Sequence, residues 1–289
     1  MLSSRTMHRL IGTLILVIST CVWAAPPQAG GSFTTSDGIR IHYLETGQGR
    51  AIVFIPGWTM AADIWQAQID ALSGKYRVIA MDPRSQGDSD KPVEGNYPAR
   101  RARDVKELVD HLKLEKPVLV GWSMGVPELL SYVEQFGTDN IGGLVLVDGM
   151  VKIPAEMAAT FPAFVNGFQV DRRKATDGFV KSMYAKPQRP EYLANVTEAS
   201  LKTPTNSAMA LMMGMLARPD WSAILPKLAA IPVQYHFEPY LQNQADIVKE
   251  KLPSAKIARY DDAGHALFVD DAERFNGALR EMMDQTGPK

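Results

Sequence analysis

The sequence predicts an α/β fold, a mostly parallel sheet flanked by helices, with a helical segment inserted late in the chain. Three observations carry that prediction. Short apolar runs rich in β-branched residues alternate with stretches of helical spacing, the rhythm of parallel sheets with helices on both faces. Several runs, at 51–55, 118–120 and 144–147, are apolar at every position, as strands buried on both faces require. From 150 to 231 the strand pattern stops and helical spacing takes over.

Residues 1–24 read as a secretory signal. Arg5, His8 and Arg9 precede an apolar run over 10–22, and Ala24 and Ala25 supply the small residues of a cut site before Pro26-Pro27. The run is short for a membrane span. Cleavage near Ala24 implies a periplasmic or secreted chain with no membrane attachment afterwards. Cys21, the single cysteine, leaves with this segment, so the mature chain needs no disulfide and cannot be trapped by a wrong one.

Residues 26–32 read as a linker. Residues 39–43 alternate as a half-solvated strand, 47–50 turn, and 51–55 form a buried strand. A loop at 56–58 leads to a helix over 64–72, then a strand over 76–81 closed by Asp82-Pro83. Helical spacing returns over 102–112. The strand at 144–147 ends at Asp148-Gly149, and the sheet resumes at 233–237. A helix over 245–252, a strand over 256–260, a loop over 262–265 and a closing helix over 272–283 complete the chain. The expected core is therefore 25–149 with 232–289, and 150–231 is a helical cap. Met157, Met183, Met209, Met212, Met213 and Met215 give that cap an adaptable apolar character.

Chemistry concentrates at Gly121-Trp122-Ser123-Met124-Gly125. An apolar strand precedes it and Val126-Pro127-Glu128-Leu129-Leu130 opens a helix after it. Strand, sharp turn and helix lift a serine hydroxyl above the sheet, with the helix N-terminus beside any negative charge that develops there. A serine hydroxyl is a poor nucleophile without a base. Beyond His8 the chain has His42, His111, His236 and His265. His265 follows Gly264 in a loop after the last strand and completes the chain order serine, acid, histidine.

Formal net charge is −1, from 31 basic and 32 acidic residues, and no basic stripe points to nucleic acid. Neither metal-ligand spacing nor a phosphate-binding glycine loop occurs, so no metal and no cofactor are expected.

Four stretches together resemble the α/β-hydrolase superfamily, in its esterase and cofactor-free haloperoxidase-like branch. They are Pro56-Gly57-Trp58-Thr59-Met60, the run from Asp82-Pro83-Arg84-Ser85-Gln86 through Gly87-Asp88-Ser89, the Gly121–Gly125 turn, and Asp262-Ala263-Gly264-His265-Ala266-Leu267-Phe268. The resemblance implies the α/β-hydrolase fold with a cap after the sixth strand. It implies Ser123 as nucleophile, His265 as base, and the backbone N–H groups of Trp58 and Met124 as oxyanion donors. Pro56-Gly57 stands where the family often has His-Gly, and Val126 where a further glycine is common.

The triad's acid departs from the family pattern. The usual loop, 238–244, has no aspartate before Asp246. Two acids remain: Asp148, at the end of the preceding strand, is the expected one, and Glu238 is the alternative. Asp82, Arg84 and Asp88 are expected to brace their loop through an Asp–Arg pair. Trp58, Trp122 and the cap favour binding of a small, partly apolar carboxylic ester or lactone, cleaved through an acyl-enzyme. Perhydrolase or haloperoxidase-type activity from the same triad is the alternative, as is a non-catalytic ligand-binding protein on this fold. A serine at the turn argues against the epoxide hydrolases and dehalogenases, which carry a carboxylate there. Oligomeric state is not legible.

Overall fold

The computed structural model describes residues 29–286. The expected signal segment and its cut site at Ala24 lie outside the described residues.

In chain order the elements are β1 (Ala29–Thr34), β2 (Arg40–Thr46), β3 (Ala51–Ile55), a 3-10 turn (Ala62–Trp65) running into α1 (Gln66–Leu72), β4 (Arg77–Met81), α2 (Pro98–His111), β5 (Val118–Trp122), α3 (Gly125–Phe136) and β6 (Gly143–Val147). The inserted helices are α4 (Ala155–Ala158), α5 (Phe161–Val170), α6 (Arg172–Ser182), α7 (Pro190–Leu201) and α8 (Thr205–Ala217). A 3-10 run (Ser222–Ala230) returns the chain to β7 (Val233–Phe237), α9 (Gln242–Lys251), β8 (Lys256–Arg259), α10 (Leu267–Asp270) and α11 (Ala272–Gln285). The eight strands form one sheet in the order β1-β2-β4-β3-β5-β6-β7-β8. β2 pairs antiparallel with β1 and β4, and the pairings from β4 to β8 are parallel.

All five residues of β3, β5 and β6 are buried because side chains leave the pleat on opposite faces and both faces are covered. Val53, Leu119 and Leu146 face the layer of α2, α3 and α9. Ile52, Val120 and Val145 face the layer of α1 and α11, where Trp65, Phe268 and Phe275 stack. Each such side chain contributes roughly 1.5–3 kcal/mol by leaving water.

Two boundaries differ most from expectation. Residues 29–32 belong to a strand, not a linker, and pair from Ala29↔Glu45 to Thr34↔Arg40. Ala-Gly-Gly-Ser has no apolar period to announce a strand; backbone pairing to β2 supplies it. At Gly31 an added Cβ would sit 2.4 Å from the Tyr43 ring, which lies over this glycine. Helix α2 begins at Pro98, before the expected 102. Its first turn, Pro-Ala-Arg-Arg, has no large apolar residue to mark a buried face, and proline is tolerated there because it lacks a donor the helix does not need.

The insertion leaves and returns at one point above the end of β6. Lys152 and Asp220 form an antiparallel bridge. Trp221 N–H donates to the Val151 carbonyl at 2.8 Å, and Ile153 N–H to the Pro219 carbonyl at 2.7 Å. Among the described residues no helix is long and apolar enough to cross a membrane.

Candidate active site

Ser123 sits at the turn between β5 and α3 with φ 55°, in the left-handed region that side chains rarely adopt. Its N–H donates to the Val147 carbonyl at 2.8 Å, which pins the turn to the neighbouring strand. The flanking glycines are required by space. A Cβ on Gly121 would lie 2.6 Å from the Gly125 carbonyl oxygen, and one on Gly125 would lie 2.9 Å from the Ile55 carbonyl oxygen. Strain of this kind persists only where its surroundings over-determine it, and such positions cluster at functional sites.

Asp148 immediately follows β6, also with positive φ, at 44°. Its N–H donates to the His236 carbonyl at 2.7 Å, extending the β6–β7 pairing by one bond. One carboxylate oxygen accepts the Glu238 N–H at 2.7 Å, and the other lies 2.6 Å from His265 Nδ1. His265 Nε2 lies 2.9 Å from Ser123 Oγ. Because the carboxylate can only accept, Nδ1 carries the proton and Nε2 is left to accept from the serine. Asp148 is 1% exposed and His265 28%, so the acid is dry while the imidazole reaches the opening.

The histidine loop is tied down independently. Gly264 N–H donates to an Asp270 carboxylate oxygen at 2.9 Å, and Ala266 N–H to the Met183 carbonyl at 2.8 Å. Thus the structure brings Ser123, His265 and Asp148 together. Glu238 turns its backbone, not its carboxylate, toward Asp148. Burial, and then the charge of Asp148, push the Glu238 carboxyl above its usual range.

The loop after β3 carries Trp58. A Cβ on Gly57 would lie 3.0 Å from Ser123 Cβ, so this backbone runs directly against the serine. Neither the Trp58 nor the Met124 N–H has a protein acceptor among the described residues. Both lie beside Ser123, Met124 by sequence and Trp58 through Gly57, where the expected oxyanion donors belong. The Trp58 indole donates to the Ala208 carbonyl at 2.8 Å and packs among Phe164, Phe168 and Phe179.

Trp122 corrects an expectation. Its ring does not line the pocket but is buried beneath it, edge-on to Trp65 and Phe268. Its indole N–H donates to the His265 carbonyl at 2.8 Å. The side chain after a strand residue alternates away from the site, so Trp122 supports the histidine from below.

In the Asp82 loop the expected Asp–Arg brace forms with an aspartate from outside the loop: Arg84 Nε and Nη2 fork onto Asp104 of α2 at 2.5 and 2.6 Å, and Nη1 reaches Asp37 at 3.0 Å. Asp82 instead accepts from the Ala62 and Asp88 N–H groups and from His42.

A cavity of about 610 Å³ opens over Ser123 and His265 beneath the cap. Met157, Phe161, Phe164, Met212 and Met215 supply much of its wall, and no lysine or arginine lines it. Met209 is packed inside the cap and Met213 faces solvent, so only part of the methionine set shapes the cavity. The phenylalanines of α5 and α6 gave no signal beyond ordinary helical apolarity.

A Ser–His–Asp relay at the carboxyl edge of a parallel sheet, its acid buried and its serine facing a cavity under an apolar cap, defines a hydrolase-type site. Residues 50–272 match the profile of the alpha/beta hydrolase fold, and the chain belongs to that family. It is similar to a non-heme chloroperoxidase of Kitasatospora aureofaciens, 29% identical over 87% of this chain and 98% of that protein. A bifunctional esterase/perhydrolase of Acinetobacter calcoaceticus is 34% identical over 42% of this chain and 45% of its own length. An esterase of Exiguobacterium antarcticum superposes with a TM-score of 0.82 at 23% identity, covering 88% of this chain and 98% of that one. The chain is thus an α/β-hydrolase-fold protein similar to enzymes of the haloperoxidase, esterase and perhydrolase types.

Proposed function

We propose that the protein is a serine hydrolase of small, uncharged, largely apolar carboxylic esters or lactones. The observation that carries this is the Ser123–His265–Asp148 relay, with gaps of 2.9 and 2.6 Å, facing a cavity without a cation.

In this reading Ser123 Oγ forms a bond to the carbonyl carbon while its proton passes to His265 Nε2. The oxyanion is held by the N–H groups of Trp58 and Met124, and Asp148 stabilises the imidazolium. The carbon–oxygen bond to the alcohol breaks, and His265 returns the proton to that leaving oxygen. Water then gives a proton to His265 and attacks the acyl carbon, and Ser123 departs with its proton restored. With a lactone the leaving alcohol stays tethered to the acyl group. Hydrogen peroxide in place of water would give a peracid, and the esterase/perhydrolase relative supports that second reading.

Turnover of p-nitrophenyl butyrate, with labelling by a fluorophosphonate, tests this reading. Ser123→Ala should lower kcat by about a million-fold and abolish labelling. Retained turnover in that variant overturns the assignment. The reading also places the enzyme outside the cytoplasm, on the strength of Arg5, Arg9, the apolar run over 10–22 and Ala24-Ala25. The exported chain should begin at Ala25 on N-terminal sequencing; an accumulated chain still carrying Met1 overturns it.

A further inference from the structure

The loop from Asp82 to Ser89 matched the family in sequence, yet nothing in the triad uses it. Gln86 in that loop is fully buried. Its Nε2 donates to the Gly57 carbonyl at 3.0 Å and to the Met60 carbonyl at 2.6 Å. Its Oε1 accepts the Thr59 N–H at 3.2 Å and Arg101 Nη1 at 3.0 Å. Both donors and both acceptor sites of the amide are therefore used, and flipping the amide would set donor against donor and acceptor against acceptor. Three of these bonds go to the backbone on either side of Trp58, leaving the Trp58 N–H itself unclaimed.

The partner on the far side is equally placed. Arg101 of α2 is buried, and its Nε lies 3.0 Å from Glu128 Oε1 on α3, as an ion pair without hydrogen-bond alignment. Arg101 Nη1 also lies 3.9 Å from the Met124 sulfur. A buried chain of side chains, Glu128–Arg101–Gln86, thus runs from the first turn of α3, which Met124 caps, to the loop that carries Trp58. Thr59 sits in this loop with φ 61°, a strained backbone for a β-branched residue. Its hydroxyl is latched to Ser200 of the cap at 2.7 Å.

We propose that Gln86 is a positioning residue: it holds the strained Gly57–Met60 loop so that the Trp58 N–H stays aimed at the oxyanion, and Arg101 fixes Gln86 relative to the Met124 donor. This rests on the reading of Trp58 and Met124 as oxyanion donors. A donor misplaced by about an ångström costs on the order of a hundredfold in rate, while ground-state binding in the apolar cavity is untouched.

The test is steady-state hydrolysis of p-nitrophenyl butyrate by Gln86→Met and Gln86→His, with active sites counted by exhaustive fluorophosphonate labelling so that misfolded chains drop out. Gln86→Met keeps the length and loses all four bonds. It should lower kcat per labelled site by about tenfold to a hundredfold and leave KM within about threefold. Affinity for an alkyl boronic acid, which forms a tetrahedral adduct on the serine, should fall by the same factor as kcat/KM. Gln86→His keeps one donor and one acceptor and should recover part of the loss; it is read alone if the methionine variant does not fold. Unchanged kcat per labelled site, or a loss confined to KM, overturns the proposal. A wild-type enzyme that neither labels nor turns over overturns the serine-hydrolase reading beneath it, a result distinct from a labelled enzyme indifferent to residue 86.

Discussion

Two histidine–aspartate pairs sit in this molecule with nearly the same local geometry. His265 Nδ1 meets Asp148 at 2.6 Å, and His42 Nδ1 meets Asp82 at 2.8 Å. Both aspartates are buried, at 1% and 4%, and both imidazoles are partly exposed, at 28% and 19%. Each pair even has a serine at hand. Yet Ser89 accepts the His42 N–H at 2.8 Å and donates to the Asp82 carbonyl at 2.5 Å, so its hydroxyl is consumed by backbone. Ser123 donates to the other face of its imidazole and opens to the cavity. Asp82 is also saturated differently, by the Ala62 and Asp88 N–H groups, in a loop where Gly87, at φ 47°, lacks the Cβ that would strike the carboxylate. The ligand-capable atoms of His42, Asp82 and Asp88 come within 4.8 Å of one another, but Asp88 is paired with Lys202 at 2.7 Å and the set is a brace. A histidine–carboxylate pair therefore does not define a catalytic site. The free hydroxyl and the open side of the imidazole do.

Breaking the two pairs in parallel gives the largest contrast. Asp148→Asn should lower kcat by about ten-thousandfold, since the amide can donate to Nδ1 and so favour the wrong tautomer. Glu238→Gln, by contrast, should leave kcat within about threefold, because its carboxylate does not touch the imidazole. Equal losses in the two would reopen the choice of acid. Asp82→Asn should instead cost about 1–3 kcal/mol of stability in a denaturant melt, from lost charge-assisted bonds, with kcat per labelled site nearly unchanged. A catalytic collapse there would erase the distinction drawn between the pairs.

The smallest effect concerns a third histidine. His236 is buried with no carboxylate beside it, between Tyr260 at 3.1 Å and Gln234 at 2.8 Å. Burial, and then the positive charges of Arg274 and Lys256, hold its pKa down at about 3, against an ordinary 6.5. The folded state thus binds the proton less readily than the unfolded chain. Stability from this group is full above the ordinary value and is lost as pH falls toward the folded one. The slope is up to about 1.4 kcal/mol per pH unit in that window. His236→Gln should flatten the acid limb of the melting profile by that amount, with no change in kcat. An unaltered acid limb would show that the imidazole is not the group responsible.

Much of the architecture was legible because burial on both faces writes itself as unbroken apolar runs, as at 118–120 and 144–147, and because a sharp strand–turn–helix needs glycines at 121 and 125. β1 was not legible, since Ala-Gly-Gly-Ser becomes a strand only through pairing with β2. At the site, Ser123 and His265 stand out by motif and chain order. Asp148 is the acid the sequence favours, with Glu238 as the alternative because it too follows a strand at the same sheet edge. Trp122 was read as a pocket residue because adjacency to Ser123 does not say on which side of the pleat the ring falls. An Asp–Arg brace for the Asp82 loop is legible, but its aspartate is not, because Arg84 forks onto Asp104, which lies on α2.

The sequence by itself determined the layered sheet, the strained serine turn and the place of the histidine loop, because these follow from local sterics and from the period of apolar residues. Only the tertiary structure decided which carboxylate meets His265, which serine stays free, and how Gln86 meets the loop around Trp58. Those outcomes depend on contacts across scores of residues, where a difference of an ångström decides whether a hydrogen bond exists, and no local pattern encodes that distance.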